Sequence, residues 1–321
     1  MQILITGAAG FIGYNLSLFL LKKQFKVFGI DNLNNYYSLK LKKDRIKQLQ
    51  KYVNFNFKKI DITKRNKLNK FFIGKKFDLI INLAAQAGVR YSLVKPSEFV
   101  DNNIVGFYNI INLAKKNNIK KILYASSSSV YGDSKNFPLK ENHKINPKNI
   151  YALSKKNNED MATVFSSQYK IFMVGLRFFT VFGEWGRPDM FMMKYLTSSY
   201  DKKKKFYLNN FGNHTRDFTY IYDVCEIIYK LIITKNKNKI LHNIFNICSN
   251  KPIKLLEIIK KINLLTGKKP KLFKRSLQKA DVIKTHGSNK KILSFIGKKN
   301  FLSTDESLKR TFSWYREYYN T

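Results

Sequence analysis

Tyr151 and Lys155 stand four residues apart in the segment Tyr151-Ala152-Leu153-Ser154-Lys155. On a helix this spacing puts both side chains on one face, where the ammonium would favour the phenolate and lower the tyrosine's pKa. A tyrosine tuned that way is a base near neutral pH, as nicotinamide chemistry requires. In a chain with 19 Tyr such a pair also arises by chance, so its meaning depends on what precedes it. What precedes it is a glycine-rich turn, Thr6-Gly7-Ala8-Ala9-Gly10-Phe11-Ile12-Gly13. Gln2 to Ile5 before it reads as a short buried strand, and Phe11 to Leu21 after it reads as an apolar helix. Strand, turn and helix in that order are the context of a dinucleotide site.

The spacing assigns roles. Gly7 lets the chain turn off the strand, Gly10 lets backbone approach a pyrophosphate, and Gly13 lets the helix pack on the sheet. The phosphates would lie on the helix N-terminus at Gly10, Phe11, Ile12 and Gly13. The glycines are spaced three and three, one residue longer than the common fingerprint, which marks a related loop. The next strand, Lys26 to Ile30, ends at Asp31-Asn32, where a carboxylate can bond the adenosine ribose hydroxyls. A 2′-phosphate would be repelled there, so the expected cofactor is NAD.

The elements that must position these residues alternate along the chain. Val53 to Phe57, Phe77 to Asn82, Lys120 to Ala125 and Ile171 to Arg177 read as further strands between helical stretches. That pattern predicts an α/β fold, a Rossmann-type doubly wound parallel sheet. Asp61-Ile62 and Leu83-Ala84-Ala85 close strands where backbone or side chain would meet the cofactor, Asn103 opens or rides a long helix beneath the site, and Phe178 is a further cofactor candidate. After Gly183 the alternation fades. The expected division is a cofactor domain over 1–182, to which 217–248 returns, and a smaller C-terminal α/β substrate-binding domain over 183–321.

With 321 residues the chain can bury a substantial core. Cys225 and Cys248 lie in apolar stretches and read as reduced thiols of a cytoplasmic protein. Neither a leader peptide nor a membrane-spanning run is apparent. The net charge of +39 raises nucleic-acid binding as a rival function. The lysines are spread throughout, however, and accompany many Asn, Ile, Phe and Tyr, which reads as a compositional bias. The expectation is therefore no nucleic-acid and no membrane partner, with Lys202 to Lys205 a solvated turn. None of the four histidines sits at ligand spacing from a cysteine or carboxylate, so no metal site is expected.

The glycine turn, Asp31 to Tyr37, Leu83 to Ser92, Ser126 to Gly132, Tyr151 to Lys155, Arg177 to Met190 and Arg216 to Ile221 together resemble the extended short-chain dehydrogenase/reductase family. Within it they are most similar to the UDP-glucuronate 4-epimerases, nearly end to end. The stretches Asp31 to Tyr37, Ala85 to Ser92 and Gly186 to Met190 carry the specificity, since the turn and Tyr-x-x-x-Lys are shared more widely.

The resemblance implies a mechanism. Tyr151 would remove the proton from the sugar 4-hydroxyl while NAD accepts hydride from C4. Lys155 would tune Tyr151, and Ser127 would share the hydroxyl. The 4-ketone would turn over and be reduced on its opposite face, with NAD retained. That ketone lies β to the C6 carboxylate, so the site must hold the carboxylate against loss of carbon dioxide. Ser128 and Thr180, with Arg90 or Arg187, are the candidates. Arg216 would hold the pyrophosphate, with Arg187 a second candidate; ion pairs with Asp217 or Asp189 are the structural alternatives. Asp281 would line the nucleotide pocket, although Lys279-Ala280 stands where relatives have Pro-Gly. Relatives that eliminate or decarboxylate carry an acidic residue where this chain has Ser127 to Ser129. Other departures are Tyr222 and Phe182, expected in packed positions, and a short connection from Asn236 to Leu241.

The resemblance also implies a homodimer through the helix of Asp101 to Lys116 and the one bearing Tyr151. It implies a role in supplying galacturonate to surface polysaccharide. Another UDP-hexose or UDP-N-acetylhexosamine 4-epimerase is the alternative, and a non-catalytic basic binding protein the remote one.

Overall fold

A computed structural model describes residues 1–234, 240–278 and 281–321. Lys279-Ala280 and most of the short connection after Asn236 lie outside the described residues. The first half alternates strand and helix: β1 (Gln2–Thr6), α1 (Phe11–Lys22), β2 (Lys26–Asp31), α2 (Leu39–Leu49), β3 (Phe55–Lys59), α3 (Arg65–Phe72) and β4 (Leu79–Asn82). A long helical stretch follows as α4 (Pro96–Phe99), a π-helical turn at Val100–Val105 and α5 (Gly106–Lys116). Then come β5 (Lys121–Ser127), α6 (Ile150–Tyr169), β6 (Phe172–Phe178) and β7 (Thr180–Phe182). The remainder is α7 (Phe191–Tyr200), β8 (Phe206–Asn209), β9 (Thr215–Tyr220), α8 (Ile221–Ile233), β10 (His242–Ile247), β11 (Pro252–Lys254), α9 (Leu255–Thr266), β12 (Leu272–Arg275), α10 (Lys290–Ile296) and α11 (Thr304–Tyr319).

Seven strands form one parallel sheet in the order β10-β6-β5-β4-β1-β2-β3. The strand order reverses between β1 and β4, and a doubly wound sheet opens its ligand crevice there, at the strand C-terminal ends. Both faces are covered. Ile3 and Ile5 point into one apolar cluster and Leu4 into the other, so β1 reads as an unbroken apolar run. β7, β9 and β11 form a second sheet, and β8 pairs with β12. Thus β10 belongs to the first sheet and β9 to the second, while α8 packs against α1.

The third strand lies two residues later than its sequence pattern predicted. Val53 is fully exposed, and Phe55 pairs opposite Val27 with its ring in the core. Tyr222, expected in a packed position, is half-exposed with its ring edge on Phe19 at 5.4 Å, whereas Phe182 is buried. Cys225 and Cys248 are free, buried thiols. Lys202 to Lys205 form an exposed turn between α7 and β8. No helix among the described residues is long and apolar enough to cross a membrane.

Candidate active site

The turn from β1 to α1 is built by steric necessity. Gly7 has φ +72°, and a Cβ there would stand 2.8 Å from the Ala84 nitrogen. At Gly13 a Cβ would stand 2.1 Å from the Gly7 carbonyl oxygen, so only glycine lets α1 close on the turn. Gly10 caps α1, and the first turn has neither a side-chain cap nor an acidic residue. The positive end of the helix therefore faces the cleft, as an anion such as a pyrophosphate requires.

That cleft encloses about 1350 Å³, part of it open to solvent, and runs from the turn to Tyr151. Gly7, Gly10, Phe11, Ile12, Gly13, Asp31, Asn32, Ile62, Leu83, Ala84, Ala85, Ser127, Tyr151, Lys155, Phe178 and Arg187 all line it. Asp31 anchors the turn: its carboxylate accepts from the Ala9 nitrogen at 3.1 Å and the Leu33 nitrogen at 2.8 Å. Burial pushes its pKa up, against the pull of Lys42, these two N–H groups and Arg45. The glycine cradle, the helix end and the carboxylate fit a dinucleotide.

Two expected cofactor residues act through neighbours. Asn103, in the π-helical turn, accepts from the Gln86 nitrogen at 2.7 Å and donates to the Gln86 carbonyl at 3.0 Å and to Ser154 at 2.9 Å. It fixes the Gln86 backbone, which lines the cleft, to the helix carrying Tyr151. Asp61 accepts from the Thr63 backbone and hydroxyl and from Asn32, and these donors hold its pKa down against burial.

At the other end, α6 starts at Asn149, whose side chain accepts from the Ala152 nitrogen at 2.9 Å, and this cap sets the face bearing Tyr151 and Lys155. Burial pushes the Tyr151 phenol up, while the Ser127 hydroxyl facing it and the Arg187 guanidinium pull it down. Lys155 reaches across to β5. Its ammonium donates to the Ala125 carbonyl at 3.0 Å, and burial lowers its pKa to about 8. The helical spacing expected of Tyr151 and Lys155 is present, and the β5 carbonyl that the lysine reaches sets the direction of its side chain.

Of the serine run, Ser126 donates to Glu159 at 2.6 Å rather than to local backbone. Glu159 also receives two hydrogen bonds at 2.8 Å from Arg177, an ion pair almost wholly buried between α6 and β6. Ser127 donates to Ser129 at 3.0 Å and accepts from its nitrogen. Ser128 is half-buried beside them, and Thr180 lines a small pocket that shares Phe11, Val181, Arg187 and Met190 with the cleft.

The arginines are committed to protein partners. Arg187 grips Asp189 with its fork at 2.9 and 2.6 Å, and Tyr36 donates to the same carboxylate at 3.2 Å. Arg90 grips Asp281 at 3.1 and 2.6 Å, across 191 residues of sequence. Arg216 does not pair with Asp217; it donates to the carbonyls of Thr215, Ile283 and Val282. Burial brings Arg216 down to about 10, with Asp281 opposing and Arg90 reinforcing. Asp217 instead accepts from Ser249 and the Gly287 nitrogen, and burial raises it to about 6. Arg90, Arg216 and Asp281 thus form a separate basic cluster that does not line the main cleft.

Sequence reasoning missed Lys42 and Arg45 on α2. Lys42 lines the cleft, donates to Asn34 at 2.8 and 2.6 Å and lies 4.6 Å over the Tyr37 ring. The signal was two basic residues on the same helix face as the buried Leu41, Ile46 and Leu49. Among the described residues no group of three or more His, Cys, Asp or Glu is placed to hold a metal.

A model of the NAD dependent epimerase/dehydratase family matches residues 3–248. A protein of Methanocaldococcus jannaschii is 42% identical over 319 residues, covering 98% of this chain and 96% of its own. A UDP-glucuronate 4-epimerase of Thermodesulfobacterium geofontis is 37% identical over 318 residues, with 98% and 96% covered. The crystal structure of the UDP-glucuronic acid 4-epimerase from Bacillus cereus, in complex with UDP-glucuronic acid and NAD, superposes with a TM-score of 0.90 at 29% identity, covering 99% of this chain and 100% of that one. The resemblance carried by the motifs is thus one of descent: the chain belongs to the NAD dependent epimerase/dehydratase family, within the extended short-chain dehydrogenases/reductases.

Proposed function

We propose that this chain interconverts UDP-glucuronate and UDP-galacturonate by epimerisation at C4 of the sugar, with NAD as its retained cofactor. The observation that carries the reading is the convergence of Tyr151, Ser127 and Arg187 on one cleft whose far end is the glycine turn. The names and contents of the similar proteins agree with it.

Held along the glycine turn, NAD would supply the hydride acceptor and donor for C4. The remaining work falls to residues of the chain. Ser127 and Tyr151 face each other and would hold the 4-hydroxyl between them, with Tyr151 taking up and giving back the proton at O4. Lys155 would tune Tyr151, and the Arg187 guanidinium also favours the phenolate. Lys155, fixed on the Ala125 carbonyl, keeps its ammonium against the cofactor wall. Gly7, Gly10, Phe11, Ile12, Gly13, Asp31 and Asn32 would hold the adenosine and pyrophosphate, and Leu83, Ala84, Ala85, Ile62 and Phe178 the rest. Asn103 and Asp61 serve by fixing Gln86 and Asn32.

Ser128 and Thr180, with Arg187 exchanging Asp189 for substrate, would restrain the C6 carboxylate. Arg90, Arg216 and Asp281 would receive the nucleotide diphosphate. No acidic side chain lies between Ser126 and Gly132 to abstract a proton at C5, which favours epimerisation over elimination or decarboxylation. The reading includes a cytoplasmic enzyme that supplies galacturonate for surface polysaccharide, with the cofactor domain over 1–182 and 217–248. It also includes a homodimer, supported by the exposed apolar residues Val105 at the end of the π-helical turn, Tyr108 on α5, and Leu153 and Val164 on α6.

The test is proton NMR of purified protein with UDP-glucuronate, UDP-glucose and UDP-N-acetylglucosamine in parallel, no NAD being added. Galacturonate signals growing to a stable mixture support the reading. Conversion of only the neutral sugars would transfer the chain to the alternative epimerase, and no conversion even with NAD would remove catalysis.

A further inference from the structure

Arg45 is among the largest fully buried side chains of the molecule, and among the described residues no carboxylate pairs with it. Arginine stays charged in proteins, so a buried guanidinium must be held by other acceptors. Arg45 finds four. Nη1 donates to the Ala9 carbonyl at 2.7 Å and to the Tyr37 hydroxyl at 2.7 Å. Nη2 donates to the Trp185 carbonyl and, at 3.4 Å, to the Gly186 carbonyl. Nε is buried without an acceptor.

These partners come from three separate places. Ala9 lies in the glycine turn, where its nitrogen is already held by Asp31, so the residue is gripped on both sides. Trp185 and Gly186 lie immediately before Arg187. Trp185 has φ +59°, a conformation that costs a bulky side chain and persists only where its surroundings enforce it. The enforcement is visible. Its ring packs on Tyr14 of α1 and on Trp314 and Tyr318 of α11, with centroids 5.0, 5.3 and 4.9 Å away, and its carbonyl is held by Arg45.

We infer that Arg45 is a positioning residue that ties the cofactor turn to the substrate loop, so that ordering of residues 7–13 by a dinucleotide also orders residues 183–190 and presents Arg187. The two adjacent tyrosines reinforce the tie. Tyr37 accepts from Arg45, while Tyr36 donates to Asp189, the partner of Arg187. A lysine at this position has one point of charge and lacks the planar fork, so it reaches one of the two loops but not both. The inference rests on assigning the glycine turn to a dinucleotide.

The experiment is hydrogen exchange with and without NAD on wild-type protein, Arg45→Lys, Arg45→Gln and Asp44→Asn, each stripped of dinucleotide and checked for cooperative melting. Asp44, next to Arg45 on α2, bonds Lys40 and Tyr318 and reaches the 183–190 loop only through the Tyr318 ring on Trp185, so its variant controls for loosening of that helix and of this aromatic contact. In the wild type, NAD should slow exchange in both 7–13 and 183–190. In the Arg45 variants it should slow 7–13 only, and kcat/KM for UDP-glucuronate should fall roughly tenfold. Asp44→Asn should behave as wild type. Protection of 183–190 by NAD that survives in both Arg45 variants, or is equally lost in Asp44→Asn, overturns the inference. So does wild-type protein in which NAD protects 7–13 alone, an arm that needs no variant to fold. No protection of 7–13 in wild type would instead refute the dinucleotide assignment.

Discussion

Lys155 should be a stability liability in the protein without its cofactor, and replacing it by methionine should stabilise the fold while removing activity. Its ammonium is buried and reaches one carbonyl, that of Ala125. Burial lowers its pKa from 10.5 to about 8. At about 1.4 kcal/mol per pH unit, keeping the ammonium charged costs the folded state about 3 kcal/mol. Losing the hydrogen bond to Ala125 returns about 1 kcal/mol. The net gain for Lys155→Met near pH 7 is therefore about 2 kcal/mol, a rise in Tm of about 4 °C for a chain of this length. The sign with pH follows from proton binding. Between about 8 and 10.5 the unfolded chain holds a proton on this lysine that the folded chain has released, so wild-type stability rises with pH across that window. The advantage of the variant is full below about 8 and gone near 10, above which the lost hydrogen bond leaves the variant the less stable. Urea unfolding of dinucleotide-stripped wild type and variant at pH 7, 9 and 10.5 measures it. A variant less stable than wild type at pH 7, or a difference that does not shrink with pH, refutes the reasoning. Turnover should fall by at least about 1000-fold whatever the stability.

Three further outcomes follow from the geometry. Gly13→Ala puts a Cβ 2.1 Å from the Gly7 carbonyl and should lower NAD affinity by more than about 100-fold, read by calorimetry. Glu159→Ala leaves Arg177 buried and unpaired and should cost about 3–5 kcal/mol in urea unfolding. His242 is held neutral, its pKa lowered to about 4 by burial between Tyr124 and Thr163, so stability should fall by up to about 3 kcal/mol as pH drops from 6.5 to 4, and the fall should disappear in His242→Gln.

The sheet and the turn were legible because they rest on backbone sterics and apolar period. Gly7 and Gly13 sit where only glycine fits, and β1 to β6 appear as apolar runs whose partners lie at regular intervals. The third strand slipped by two residues because Val53 is as apolar as Phe55, and only pairing with Val27 decides which is buried. The candidate residues Tyr151, Lys155, Ser127 and Arg187 were legible as types at a spacing, but their partners were not. Lys155 takes a carbonyl on another strand, Arg187 folds back on Asp189, and Arg90 meets Asp281 from the far end of the chain. Such choices depend on which groups the fold brings within 3 Å. The partners of Arg45 were hidden for the same reason: three of its four acceptors are backbone carbonyls, which carry no residue signature.

The central claim is that one bound NAD removes and returns the same hydride at C4 of UDP-glucuronate. The measurement that tests it most directly is conversion of UDP-glucuronate carrying deuterium at C4, in ordinary water with no NAD added, followed by NMR and mass spectrometry of the products. The account predicts UDP-galacturonate in which the deuterium remains at C4. Product that has lost the deuterium to solvent, or no product with or without added NAD, would contradict it.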